Sequence, residues 1–127
     1  MDDRQALLHT NVLKAAVDDL LNNRQLSVEE AMDRHFSPGF RQCTNGLRED
    51  RAAVRERIVQ LREDLQHATF VVRDEFCCGN RYAQRHTIAL AMRDDAAAAL
   101  NVYVFAERDA DGRFLWIEEA VHSVAVA

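Results

Sequence analysis

Residues 69–124 decide the fold. They read TFVVRDEFCC (69–78), RYAQRHTIALAMR (81–93), AALNVYVFAER (98–108) and RFLWIEEAVHSV (113–124). In each segment β-branched and aromatic residues recur at the two-residue period of strands. Gly79-Asn80 makes a tight turn between the first two segments, Asp94-Asp95 begins the next connection, and Asp109-Ala110-Asp111-Gly112 makes the last. Four strands joined this way form an antiparallel meander.

Upstream the period is helical. Asp2 and Asp3 are placed to cap a first helix whose apolar stripe runs through Leu7, Leu8, Val12, Ala15, Ala16 and Leu20, with Asn22-Asn23 as its stop. Ser27 and Glu30 have the spacing of a capping box for a short second helix carrying Ala31, Met32 and His35, which ends before Pro38. Asn45-Gly46 is a turn. Asp50 caps a third helix with Val54, Ile58, Leu61 and Leu65 on one face, and its charged positions Arg55, Glu56, Arg62 and Glu63 read as a solvated face. The expected architecture is α+β: three N-terminal helices packed on a curved antiparallel sheet that encloses a pocket, in a single domain over residues 1–127.

Bulk properties narrow the function. The chain has 127 residues, 48% hydrophobic, and a single proline, enough to bury a substantial core. A net charge of −5 argues against a nucleic-acid partner. No stretch approaches 18 apolar residues, so no membrane span is expected, and the acidic start MDDRQALLHT lacks a signal-peptide pattern. Cys43, Cys77 and Cys78 are a poor disulfide framework, since strand neighbours point to opposite faces. A reducing, cytoplasmic setting is the expectation.

Strand alternation sorts the side chains. With four-residue turns at 94–97 and 109–112, His86 falls opposite Phe105 and Phe105 opposite Trp116. One face then carries Tyr82, Gln84, His86, Asn101, Tyr103, Phe105, Phe114, Trp116, Glu118 and His122, and the other Ala83, Arg85, Ala89, Val102, Val104, Ile117 and Glu119. Both faces are largely apolar, whereas a one-sided antiparallel sheet alternates more cleanly. The bulky, polar-studded face is assigned to the helices and pocket. The smoother face is assigned to a second copy of the chain, in a two-fold dimer where Arg85 and Glu119 pair.

At this point the chain resembles a known group. HFSPGFRQCTNG (35–46), DRAAVRERIVQLRE (50–63), GNRYAQRHTIAL (79–90) and NVYVFAERDADGRFLWIEEAV (101–121) together resemble the nuclear transport factor 2-like superfamily and, within it, the SnoaL-like polyketide cyclase group. The resemblance implies a cone-shaped α+β barrel, a pocket between sheet and helices, and a homodimer. It also implies a range of activities: cyclases, ketosteroid isomerase-like enzymes, epoxide hydrolases, dehydratases and non-enzymatic binding modules. The chain departs from the cyclase pattern at Gln42-Cys43-Thr44-Asn45, where such members read Gln-His-Asn-Pro, and at Glu118-Glu119-Ala120-Val121, where they carry a histidine, a tryptophan and an acid.

The candidate chemistry follows from the assigned pocket face. His86, Tyr103 and Glu118 converge there as base, oxyanion donor and carboxylate, a set suited to proton transfer beside a carbonyl. Asn101, Phe105, Trp116, His122 and Tyr82 are the expected ligand contacts. The plainer reading makes His86 and Tyr103 hydrogen-bonded core residues. The five histidines show no i, i+2 or i, i+4 pairing, and neither Cys-x-x-Cys nor His-Glu-x-x-His occurs, so no metal or cofactor is expected. The sequence therefore points to a dimeric domain binding a small hydrophobic or carbonyl-bearing molecule. Its rivals are an isomerase, cyclase or dehydratase, and an interaction module with a filled core.

Overall fold

The computed structural model describes residues 10–124. Among these residues three helices, α1 (Val12–Leu21), α2 (Val28–His35) and α3 (Arg51–Asp64), accompany six strands: β1 (Phe36–Thr44), β2 (Leu47–Asp50), β3 (Leu65–Cys78), β4 (Arg81–Met92), β5 (Ala97–Arg108) and β6 (Phe114–Val124). The strands form one curved sheet in the order β2-β1-β6-β5-β4-β3. All neighbours are antiparallel except β1 and β6, which run parallel. The sheet is open rather than a closed barrel, with the four-residue β2 at one edge and β3 at the other.

Local chemistry sets the helix ends. The capping box at Ser27 and Glu30 is formed, and the Asp50 carboxylate accepts from Ala53 N at 2.9 Å. The cap expected at Asp2 and Asp3, with Leu7 and Leu8, lies outside the described residues. Within them, α1 is capped from the sheet: the Glu75 carboxylate on β3 accepts from Asn11 N at 2.6 Å and Val12 N at 3.1 Å, placing an anion at the helix's positive end.

Two readings of helical residues are corrected. Leu65 opens β3 instead of closing α3. Arg62 is not on a solvated face. Its guanidinium donates to the carbonyls of Leu20 at 2.9 Å, Leu26 at 2.5 Å and Asp19 at 2.8 Å, binding the end of α1 and the loop after it to α3. The core lies between helices and sheet, where Leu13, Ala16 and Leu20 meet Phe36, Phe70 and Val104.

Candidate functional site

The β4–β5 connection determines which side chains share the interior. Met92 N donates to Ala96 O at 2.9 Å, and Asp95 takes φ 69°, so the loop is three residues, 93–95, ending in a left-handed aspartate. An odd loop in place of a four-residue one inverts β5 relative to β4. His86 pairs with Val102, not Phe105. β6 follows β5, with Val104 opposite Glu119 and Phe105 opposite Glu118. The inner face therefore carries Tyr82, Gln84 and His86 with Val102, Val104, Ala106, Ile117 and Glu119. A register shift beside Arg108 brings Phe114 inward as well.

This corrects the expected grouping. His86 is buried on the inner face, whereas Tyr103 and Glu118 are exposed on the outer one, so the three do not converge. Asn101 lies outside, accepting from Thr87 Oγ1 at 3.0 Å. Phe105 is exposed, Trp116 gives its indole N–H to Glu107 at 3.0 Å, and His122 stacks on Tyr103. Tyr82 is inside, but its hydroxyl is taken up by Glu75 and by Leu13 N at 3.3 Å. Burial and that carboxylate neighbour push its pKa up. Arg85 faces outward and pairs with Asp74, so it is separated from Glu119 by the sheet.

The inner face and helices leave a cavity of about 180 Å³. Its walls are mostly aliphatic, from α1 and α3 on one side and β4, β5 and β6 on the other. Four polar side chains reach it: His86, Glu119, Gln42 and Arg57. The His86 ring stacks on Phe70 at 3.8 Å, and its Nδ1 lies 2.6 Å from Gln84 Oε1. With Oε1 turned to the ring, Nδ1 donates and Nε2 keeps its lone pair, and the Gln84 Nε2 is left buried without a hydrogen-bond partner. Burial lowers the imidazole pKa to about 4, so the ring is neutral at pH 7.

Glu119 is the carboxyl that shares this cavity. Its Oε1 accepts from Thr44 Oγ1 at 3.0 Å and Gln42 Nε2 at 3.1 Å. Burial raises its pKa, opposed by the Thr44 hydrogen bond and Arg57. Arg57 is held by Glu49, with both carboxylate oxygens 3.2 Å from Nε. The Glu118-Glu119 pair is visible in the sequence, but register alone says which member points inward. Gln42 and Thr44 belong to β1, a strand whose Pro38-Gly39 interrupts any alternation.

With this geometry, solved structures identify the fold. A protein from Shewanella denitrificans described as a putative SnoaL-like polyketide cyclase superposes with a TM-score of 0.72 at 7% identity, over 91% of this chain and 90% of that one. An NTF2-like protein of unknown function from Exiguobacterium gives 0.64 at 16% identity, over 91% and 99%. A protein from Catenulispora acidiphila with a ketosteroid isomerase-like fold, in complex with trimethylamine, gives 0.66 at 6% identity, over 87% and 84%. This chain has the NTF2-like, SnoaL-like α+β fold. No protein-family model and no curated protein sequence matches it. No helix among the described residues is long and apolar enough to cross a membrane.

Proposed function

We propose that this domain binds a small, largely apolar molecule in the cavity between its helices and sheet. The observation that carries the reading is a space of about 180 Å³ with aliphatic walls and only a few polar groups at fixed positions. Its size sets the ligand. A cavity of about 150 Å³ holds benzene, and drug-sized ligands need about 300 Å³ or more, so a single ring fits and a sterol does not. Half-buried Leu61, Leu90, Leu100 and Val121 mark where the cavity meets the surface. Thermal denaturation with toluene or p-cresol tests this: Tm is expected to rise with ligand concentration. Leu100→Trp, which fills the space, is expected to remove the rise. A rise unchanged in that variant overturns the reading.

A second reading is proton transfer on the bound molecule, favoured by the raised pKa of Glu119 inside the cavity. In this reading Glu119, not Glu118, exchanges the proton. A neutral His86 whose only N–H is held by Gln84 has no proton to offer an oxyanion, which keeps binding first.

The outer sheet face supports a homodimer. Tyr103, Phe105 and Phe76 are 42%, 67% and 66% exposed there, around the small residues Ala83 and Ala89. The dimer surface is thus a mixture of the two groups expected from sequence. The reading also has the domain in the cytoplasm, where Cys43, Cys77 and Cys78, none of them in a disulfide, stay reduced.

A further inference from the structure

We propose that the molecule held in the cavity is an uncharged single-ring alcohol or phenol whose hydroxyl donates to His86 Nε2. The inference rests on the binding reading above and names the polar group that the site selects.

It follows from the donors and acceptors left over around the cavity. Of the donors that reach it, the Gln42 amide and the Thr44 hydroxyl are spent within the protein, and Arg57 turns Nε and Nη2 to Glu49. The Gln42 amide donates at 3.2 Å to Thr44 Oγ1 and at 3.1 Å to Glu119 Oε1, which uses its N–H groups. The Thr44 hydroxyl donates to Glu119, and Arg57 is held by Glu49. What remains toward the ligand is acceptor capacity. His86 Nδ1 donates its N–H to Gln84 Oε1, and the stacking on Phe70 fixes the ring, leaving the Nε2 lone pair for the mainly aliphatic cavity that the residue lines. Glu119 has both bonds on Oε1, which leaves Oε2 as a second acceptor.

An ether or carbonyl bound here would place its own lone pairs against Nε2 and satisfy nothing. An anion would add the repulsion of Glu119. A hydroxyl supplies the one complement that is missing, and a ring with one short substituent matches the volume.

Benzyl alcohol and anisole are isomers of equal size, and only the alcohol has an O–H. Binding of each, and of benzoate, is measured by titration at pH 7, together with the His86 imidazole nitrogen shifts by NMR. Benzyl alcohol is expected to bind about tenfold more tightly than anisole, the worth of one buried hydrogen bond and its otherwise unpaired partner. Benzoate is expected to bind more weakly than either. The His86 Nε2 resonance is expected to shift on adding the alcohol and to stay in place with anisole. His86→Phe is expected to equalise the isomers, and the nitrogen shifts carry the test without that variant. If anisole binds as tightly as benzyl alcohol, the inference is overturned while the binding reading stands. If none of the three binds, both fail.

Discussion

His86 and Phe70 lie face to face across β3 and β4, ring centroids 3.8 Å apart and 20° from parallel. Burial keeps this imidazole neutral at pH 7, and the consequence is a stability that depends on pH. Its folded pKa is about 4 against an ordinary 6.5. Below 6.5 the unfolded chain takes up the proton first, so folding stability is complete above that value and falls as the pH drops toward 4. The loss is expected to be about 2 kcal/mol by pH 5. Urea denaturation of wild type and His86→Phe at pH 7.5 and 5 checks it, and an equal loss in both proteins refutes it. Asp19 contributes separately to stability in acid. Burial pushes its pKa up, but bonds from His35 and Asn23, with Arg34 nearby, hold it below the usual range, so its contribution disappears only at lower pH.

Glu119 works in the opposite sense. Its folded pKa is raised by burial, so the folded state holds its proton longer than the unfolded chain does. Stability from that proton is present at low pH and is lost as the pH rises through the folded value. Glu119→Gln keeps an oxygen for Thr44 and Gln42 but cannot ionise. It is expected to stabilise the protein at pH 8 and to change little at pH 4.5, measured by Tm. A destabilisation at pH 8 would show that the carboxylate charge, through Arg57, outweighs its burial.

The helix-then-meander order was legible because each pattern is local. Ser27-x-x-Glu30, Asp50 and Asn45-Gly46 act through neighbours in sequence, and each occupies its expected place. The site was not legible, because its composition depends on whether a loop has an odd or even number of residues. Asp95 adopts a left-handed conformation that glycine would have advertised and aspartate does not. That one loop turns Tyr103, Phe105 and Glu118 outward and brings Glu119 into the cavity that His86 also lines. A second irregularity, between Val72 and Asp74 on β3, turns Glu75 inward to cap α1 and leaves Phe76 exposed. β1 was missed because Pro38-Gly39 breaks its pattern, and β2 because four residues are too few to show a period.

Arg62 illustrates a structural role that a charge pattern conceals. The guanidinium satisfies carbonyls at the end of α1 that the helix itself leaves unpaired. Arg62→Met retains the packing of the stem and removes every bond. It is expected to cost about 2–4 kcal/mol, since charged hydrogen bonds contribute about 1.5–3 and the orphaned carbonyls remain buried. Arg62→Lys is expected to recover less than half, because an ammonium cannot reproduce the planar fork. Chemical denaturation measures both, and a loss under 1 kcal/mol for Arg62→Met refutes the clamp.

The outer sheet face yields a prediction about assembly. Phe105 stands in the C-terminal third of β5, with Ala83 directly across on β4 and Glu118 on β6, and two-thirds of its surface is exposed. In a two-fold dimer through this face each residue is used twice, so one substitution acts at two places. Phe105→Glu puts a carboxylate beside Glu118 and is expected to raise the dimer dissociation constant at least 100-fold, the loss of a central aromatic anchor. The cavity lies on the opposite side of the sheet, so the binding of benzyl alcohol by the resulting monomer is expected to change less than threefold. Sedimentation equilibrium reads the first effect and titration the second. A wild-type chain that sediments as a monomer at micromolar concentration removes the dimer, and a dimer indifferent to Phe105→Glu moves the interface elsewhere. A monomeric variant that loses the ligand would mean that the partner completes the cavity wall.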